Sequence, residues 1–142
     1  MKEQFVPYDI ALKLQEKGFD WHCLAVYMNG KFQIPRGFGM AIVTTEHMDI
    51  LKGKAILAPL WQQVIDWLRE KHNLRIFEST PISGQSSKSF NEDFRFELVK
   101  ISGNGGHANS VYGNGGLGSR YQTHSSYNEA RQAAIEHALT LI

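Results

Sequence analysis

His22 and Cys23 are adjacent, and an imidazole beside a thiol is the pairing that activates a cysteine nucleophile. The surrounding pattern argues against that use. Cys23-Leu24-Ala25-Val26-Tyr27-Met28 is strand-like, and consecutive strand residues point to opposite faces, so His22 is badly placed to take the thiol proton. Cys23 reads as a small core residue, with burial lowering its reactivity. The other imidazoles, His47, His72, His107, His124 and His137, are scattered, with neither an H-E-x-x-H motif nor a short Cys/His spacing that would gather a metal. His72 and His137 fall near expected helix C-termini, where partial positive charge is favoured. Glu78 and Glu97 could face each other across strands as an acid–base pair, but the alternation around Glu97 reads as a solvated outer face.

Residues 102–119 hold seven glycines, including Gly103-Asn104-Gly105-Gly106 and, ten residues on, Gly113-Asn114-Gly115-Gly116. A phosphate cradle would need a Gly-rich turn running into Lys-Ser or Lys-Thr at a helix start, and a dinucleotide fingerprint would need a strand before it and a helix after it. The segment contains no lysine, and a strand, residues 120–124, is expected after it. It reads as a long mobile loop. No catalytic, metal or cofactor set is assigned from the sequence, and no cofactor is expected.

These residues must be positioned by a chain of 142 residues, the size of one domain, with 42% apolar content and a net charge of +1. Such a chain can bury a proper core. Near-neutral charge lacks the basic excess of a dedicated nucleic-acid binder. With a single cysteine no intramolecular disulfide forms, as in a reducing compartment. No apolar run reaches the ~20 residues that span a bilayer, and the N-terminus lacks a signal-peptide core. The expectation is a cytoplasmic protein with no membrane association.

The elements follow from local signals. Pro7 opens and Gly18 closes a helix over residues 8–17. Asn29-Gly30 marks a two-residue hairpin between residues 23–28 and 31–34. A strand over 40–44 and one helical turn in 45–54 are the weakest expectations. Pro59 opens a helix with Leu60, Trp61, Val64, Ile65 and Leu68 on its apolar side and Gln62, Gln63, Asp66, Arg69 and Glu70 opposite, and Asn73 stops it. Trp67 lies at the stripe's edge, where an indole suits either a partner surface or a core seam. Residues 74–80 and 94–98 read as strands. Val99 and Ile101 switch parity, which implies a bulge or burial of both faces. Ser126-Tyr127-Asn128-Glu129 fits a capping box. It starts a helix with Tyr127, Ala130, Ala134, Ala138 and Leu141 as its inner stripe, widened by Ile135 and Ile142.

The fold expected is α+β in one unit: a helix and hairpin over residues 1–57, then an α-β-β-β-α half over 58–142, with an antiparallel sheet and helices on one face. That half resembles the double-stranded RNA-binding domain. The closest stretch is Ser126-Tyr127-Asn128-Glu129-Ala130-Arg131-Gln132-Ala133-Ala134, followed by Glu136, Ala138 and Leu139. The family opens this helix with serine and a pair of phosphate-binding lysines. Tyr127 and Asn128 stand in their place, only Arg131 keeps the charge, and residues 58–142 carry eight basic against eight acidic residues. A second resemblance rests on Phe5-Val6-Pro7-Tyr8-Asp9-Ile10-Ala11, Pro59-Leu60-Trp61-Gln62-Gln63, Trp67-Leu68-Arg69-Glu70-Lys71 and Tyr127-Asn128-Glu129-Ala130. These runs look like an uncharacterised family of small phage and prophage proteins, which implies an origin and no mechanism.

The function expected is a non-catalytic binding module for a protein or structured nucleic acid, with weak structured-RNA binding at most. The contact residues would be Gln62, Trp67, Ser126, Asn128 and Arg131. The rival from another class is a small enzyme using scattered groups such as His124 and Glu78.

Overall fold

The computed structural model describes residues 2–35, 55–79, 95–101, 108–112 and 126–142. The elements are α1 (Tyr8–Glu16), β1 (Ala25–Met28), β2 (Lys31–Gln33), β3 (Ala55–Ala58), α2 (Trp61–His72), β4 (Leu74–Ser79), β5 (Arg95–Ile101), β6 (Ala108–Tyr112) and α3 (Tyr127–Thr140), after a 3-10 turn at Lys2–Gln4. The protein is α+β. It divides into two compact units, Met1–Trp67 and Leu68–Ile142, and the division falls within α2. The expectations over residues 40–44, 45–54 and 120–124 lie outside the described residues.

In the N-terminal unit the local signals act as read. Gly18 takes a φ of +81° and closes α1. Asn29 and Gly30 take φ of 50° and 76°, the left-handed pair of a type I′ turn, so Met28 pairs with Lys31. The hairpin is not alone. β3 joins the other side of β1, pairing Ala25 with Ala58 and Met28 with Ala55, in a sheet of order β2-β1-β3. All four β3 residues are buried, and α1 packs against this strand.

The leading segment is tied down by groups far along the chain. The Val6 N–H donates to the Pro59 carbonyl at 3.0 Å, and Phe5 bridges to Leu60. The Tyr27 hydroxyl donates to the Val6 carbonyl at 2.7 Å, and Trp61 Nε1 donates to the Glu3 carbonyl at 3.1 Å. At the start of α2, Gln63 Oε1 accepts from the Leu60 N–H at 2.9 Å, while its Nε2 donates to the His22 carbonyl at 2.8 Å. The first bond satisfies an exposed helix donor. The second fixes the turn before β1.

The C-terminal unit is a sheet of order β4-β5-β6 with α3 packed on β5. Asn73, at a φ of 54°, ends α2 and turns the chain into β4. The antiparallel register pairs Leu74 with Lys100, Ile76 with Leu98 and Glu78 with Phe96. Between β5 and β6 the register shifts at Leu98/Val99, where Leu98 pairs with Tyr112 and Val99 with Ser110. The extra residue is Val111 on β6, while β5 stays in unbroken register with β4; Leu98 and Val99 are both buried, so on β5 the change of parity reflects burial of both faces. The serine cap also holds: Ser126 Oγ accepts from the Glu129 N–H at 3.2 Å. Ala130 and Ala134 form a core cluster with Phe96, and Ile76 packs against it.

Three expectations are corrected. Residues 108–112, placed within the glycine-rich loop, form β6 instead. The short Ala-Asn-Ser-Val-Tyr run has little periodicity of its own, and pairing with β5 supplies its order. The ends of the α3 stripe, Tyr127 and Leu141, are exposed, whereas Leu139 is buried with Ile135. Glu78 and Glu97 are not cross-strand partners, because Glu97 pairs with Phe77.

Candidate functional site

The residues singled out in sequence separate into two places. Ser126, Asn128 and Arg131 share the start of α3 in the C-terminal unit; Gln62 and Trp67 belong to the N-terminal unit. Gln62 is exposed and donates through Nε2 to Asp66 Oδ1 at 3.1 Å, one turn along its own helix. Trp67 is corrected as a contact residue: it is 2% exposed and its ring sits 5.4 Å from that of Phe19. The buried face of α2 runs through Trp61, Val64, Trp67 and Leu68, while Ile65 is only half-buried. The stripe is rotated toward Trp67 relative to the reading from residue types.

At the start of α3, Arg131 folds back along the helix. Its Nη2 donates to Asn128 Oδ1 at 2.9 Å, and its guanidinium carbon lies 5.0 Å from the centre of the Tyr127 ring. Both contacts are the neighbours that helical spacing of three and four provides, and the second is a cation–π arrangement. Tyr127 in turn meets Phe96 edge-on at 5.4 Å. Burial draws the Arg131 pKa down, with Tyr127 partly opposing the shift. Tyr127 and Asn128 thus hold the Arg131 guanidinium against its own helix. The cap beneath this cluster is measurable. Ser126→Ala should cost about 1 kcal/mol, read as a lowered urea midpoint and faster amide exchange in the first turn of α3. An unchanged midpoint would mean the Oγ bond contributes nothing.

Cys23 is buried, its thiol donates to the Trp21 carbonyl at 3.4 Å, and burial pushes its pKa up to about 12. A thiol so disposed stays protonated and unreactive near neutral pH. Among the described residues, no group of three His, Cys, Asp or Glu is placed to hold a metal ion, and no helix is long and apolar enough to cross a membrane.

An arrangement the sequence did not announce lies in the N-terminal unit. Phe5, Tyr8, Tyr27 and Phe32 form an aromatic chain: Phe5 to Phe32 at 5.0 Å, Phe32 to Tyr27 at 5.7 Å, and Tyr27 to Tyr8 at 5.3 Å. These spacings and tilted geometries are those of favourable ring pairs. Burial, and then the Asp9 carboxylate, raise the Tyr27 pKa, so its hydroxyl keeps the proton it donates to Val6. Phe5 and Tyr27 are buried. The outer end is open: Tyr8 is 40% exposed, and Leu12, one turn along α1, is 38% exposed. The detectable signals were the hairpin, which pairs Tyr27 with Phe32, and the helical spacing of Tyr8 and Leu12. Nothing local linked the two.

No protein-family model, no curated protein and no solved structure matches this chain.

Proposed function

We propose that the chain is a non-catalytic binding module of phage or mobile-element origin, and that its partner is a protein. The observation carrying this reading is the aromatic chain of the N-terminal unit, buried at Phe5 and Tyr27 and exposed at Tyr8, with the exposed Leu12 one turn along α1. Apolar side chains fixed by a packed base lose little conformational freedom on docking, and aromatic anchors of this kind dominate protein interfaces. The phage origin rests on the sequence resemblance of Phe5–Ala11 and the α2 motifs. Nucleic acid is disfavoured because duplex affinity depends on cations presented to phosphates, and Arg131 is engaged with Tyr127 and Asn128.

The test uses a photo-reactive amino acid placed in cells at residue 12 or at residue 33. Gln33 is exposed but lies on the β2 face opposite Phe32. A discrete protein adduct from position 12 and none from 33 is the expected result. Equal labelling from both positions, or from neither, overturns the proposal. A parallel titration of an RNA duplex of ~16 base pairs, the span that double-stranded RNA-binding domains cover, should show no tight binding at physiological salt. Sub-micromolar affinity abolished by Arg131→Ala would replace the protein reading with the nucleic-acid one.

A further inference from the structure

The geometry points to Asn29 as a self-modifying position, at which spontaneous conversion to isoaspartate releases strand β2 and with it Phe32. Asn29 and Gly30 are both exposed and are the two loop residues of the β1–β2 hairpin. Outside residues 29–31, no heavy atom of the described residues lies within 4 Å of where a Gly30 Cβ would stand, so no packed neighbour covers that side of the turn. In the reaction the Gly30 backbone nitrogen, deprotonated by hydroxide, attacks Asn29 Cγ. A C–N bond forms, the Cγ–Nδ2 bond breaks, and the side-chain nitrogen leaves as ammonia by taking a proton from water, which restores the hydroxide. Water then opens the resulting five-membered imide at one of two carbonyls. Cleavage of the Cγ–N bond gives aspartate, and cleavage of the backbone C–N bond gives isoaspartate. The sum is amide plus water giving acid plus ammonia.

Ring closure needs the left-handed turn to open. Among the described residues β2 is an edge strand, only three residues long, and short edges fray at small free-energy cost. The two products then differ in consequence. Aspartate tolerates the left-handed conformation that Asn29 adopts, so the hairpin can re-form with one added negative charge. Isoaspartate puts an extra methylene into the main chain of a two-residue loop. The Met28–Lys31 pairing cannot close over it, because turn length sets register. Phe32, held by that pairing, would leave its contacts with Phe5 and Tyr27.

The purified chain is incubated at mildly alkaline pH in ¹⁸O-labelled water and digested with trypsin. The peptide ending at Lys31 should lose its amide, gain one labelled oxygen and separate into aspartyl and isoaspartyl forms. In the isoaspartyl fraction the Lys31–Gln33 amides should lose protection from exchange, while Asn29→Asp protein should keep it. If the peptide retains its amide in the folded chain while urea-unfolded protein loses it, the turn protects the site and the inference fails. It fails equally if the isoaspartyl fraction keeps β2 protected.

Discussion

Replacing Trp67 by alanine is expected to destabilise the N-terminal unit by about 3–5 kcal/mol, the usual cost of deleting a buried indole. The ring is almost wholly enclosed and packs against Phe19, so its removal leaves a void lined by side chains that cannot collapse fully. Set against total stabilities of about 5–15 kcal/mol, such a loss would leave a partly unfolded protein at moderate temperature. Urea unfolding followed by fluorescence is informative here, because the remaining tryptophans, Trp21 and Trp61, also lie in the Met1–Trp67 unit. Trp67→Phe keeps an aromatic partner for Phe19 and should recover part of the loss. A change within about 0.5 kcal/mol, typical of surface positions, would favour the partner surface over the core seam, the two uses open to a residue at the stripe's edge.

The positions legible in the sequence are those governed by a single backbone constraint. Gly18, Asn29-Gly30 and Asn73 all sit at positive φ, and few residues tolerate that region. Ser126 is legible for a similar reason, because an exposed helix donor selects a short side-chain acceptor. Elements defined by long-range pairing were harder to read. β3 is an unbroken apolar run, Ala55–Ala58, buried at every position, and a run of that kind has no period to distinguish strand from helix. β6 exists because β5 offers an edge, which the local glycine-rich composition conceals.

The candidate site divides along the same line. Ser126, Asn128 and Arg131 were identifiable as a group because one helix turn brings them together. What the residues do there depends on Tyr127, whose ring lies beneath the guanidinium and touches Phe96 on a strand some thirty residues earlier. The aromatic chain of the N-terminal unit joins Phe5 and Tyr8 to Tyr27 and Phe32. That association requires α1 and the leading segment to fold onto the sheet, and no sequence spacing encodes it. Residue types alone therefore point to Gln62, Trp67 and the α3 polar cluster, and give no sign of the exposed end of the aromatic chain.

Enlarging Ala134 to leucine should destabilise the C-terminal unit by about 1–3 kcal/mol, the range for overpacking a filled core. Ala134 is fully buried and clusters with Ala130 and Phe96, with Ile76 beside them. A methyl side chain at this position lets α3 approach β5 closely. Leucine would have to push the helix outward or force Phe96 from its rotamer, and either movement disturbs the edge-on contact between Phe96 and Tyr127. The hydrophobic gain from the added carbons does not offset this, because the interior offers them no space. Ala134→Gly would act in the opposite sense, removing packing and costing about 1 kcal/mol in helix propensity. All three tryptophans lie at or before residue 67, so fluorescence is the wrong probe for this unit. Peptide-resolved amide exchange over β5 and α3 is the direct one. Faster exchange in both elements for Ala134→Leu, exceeding that for Ala134→Gly, is the expected pattern. Unaltered exchange in both would show that α3 does not rest on β5 through its alanine face.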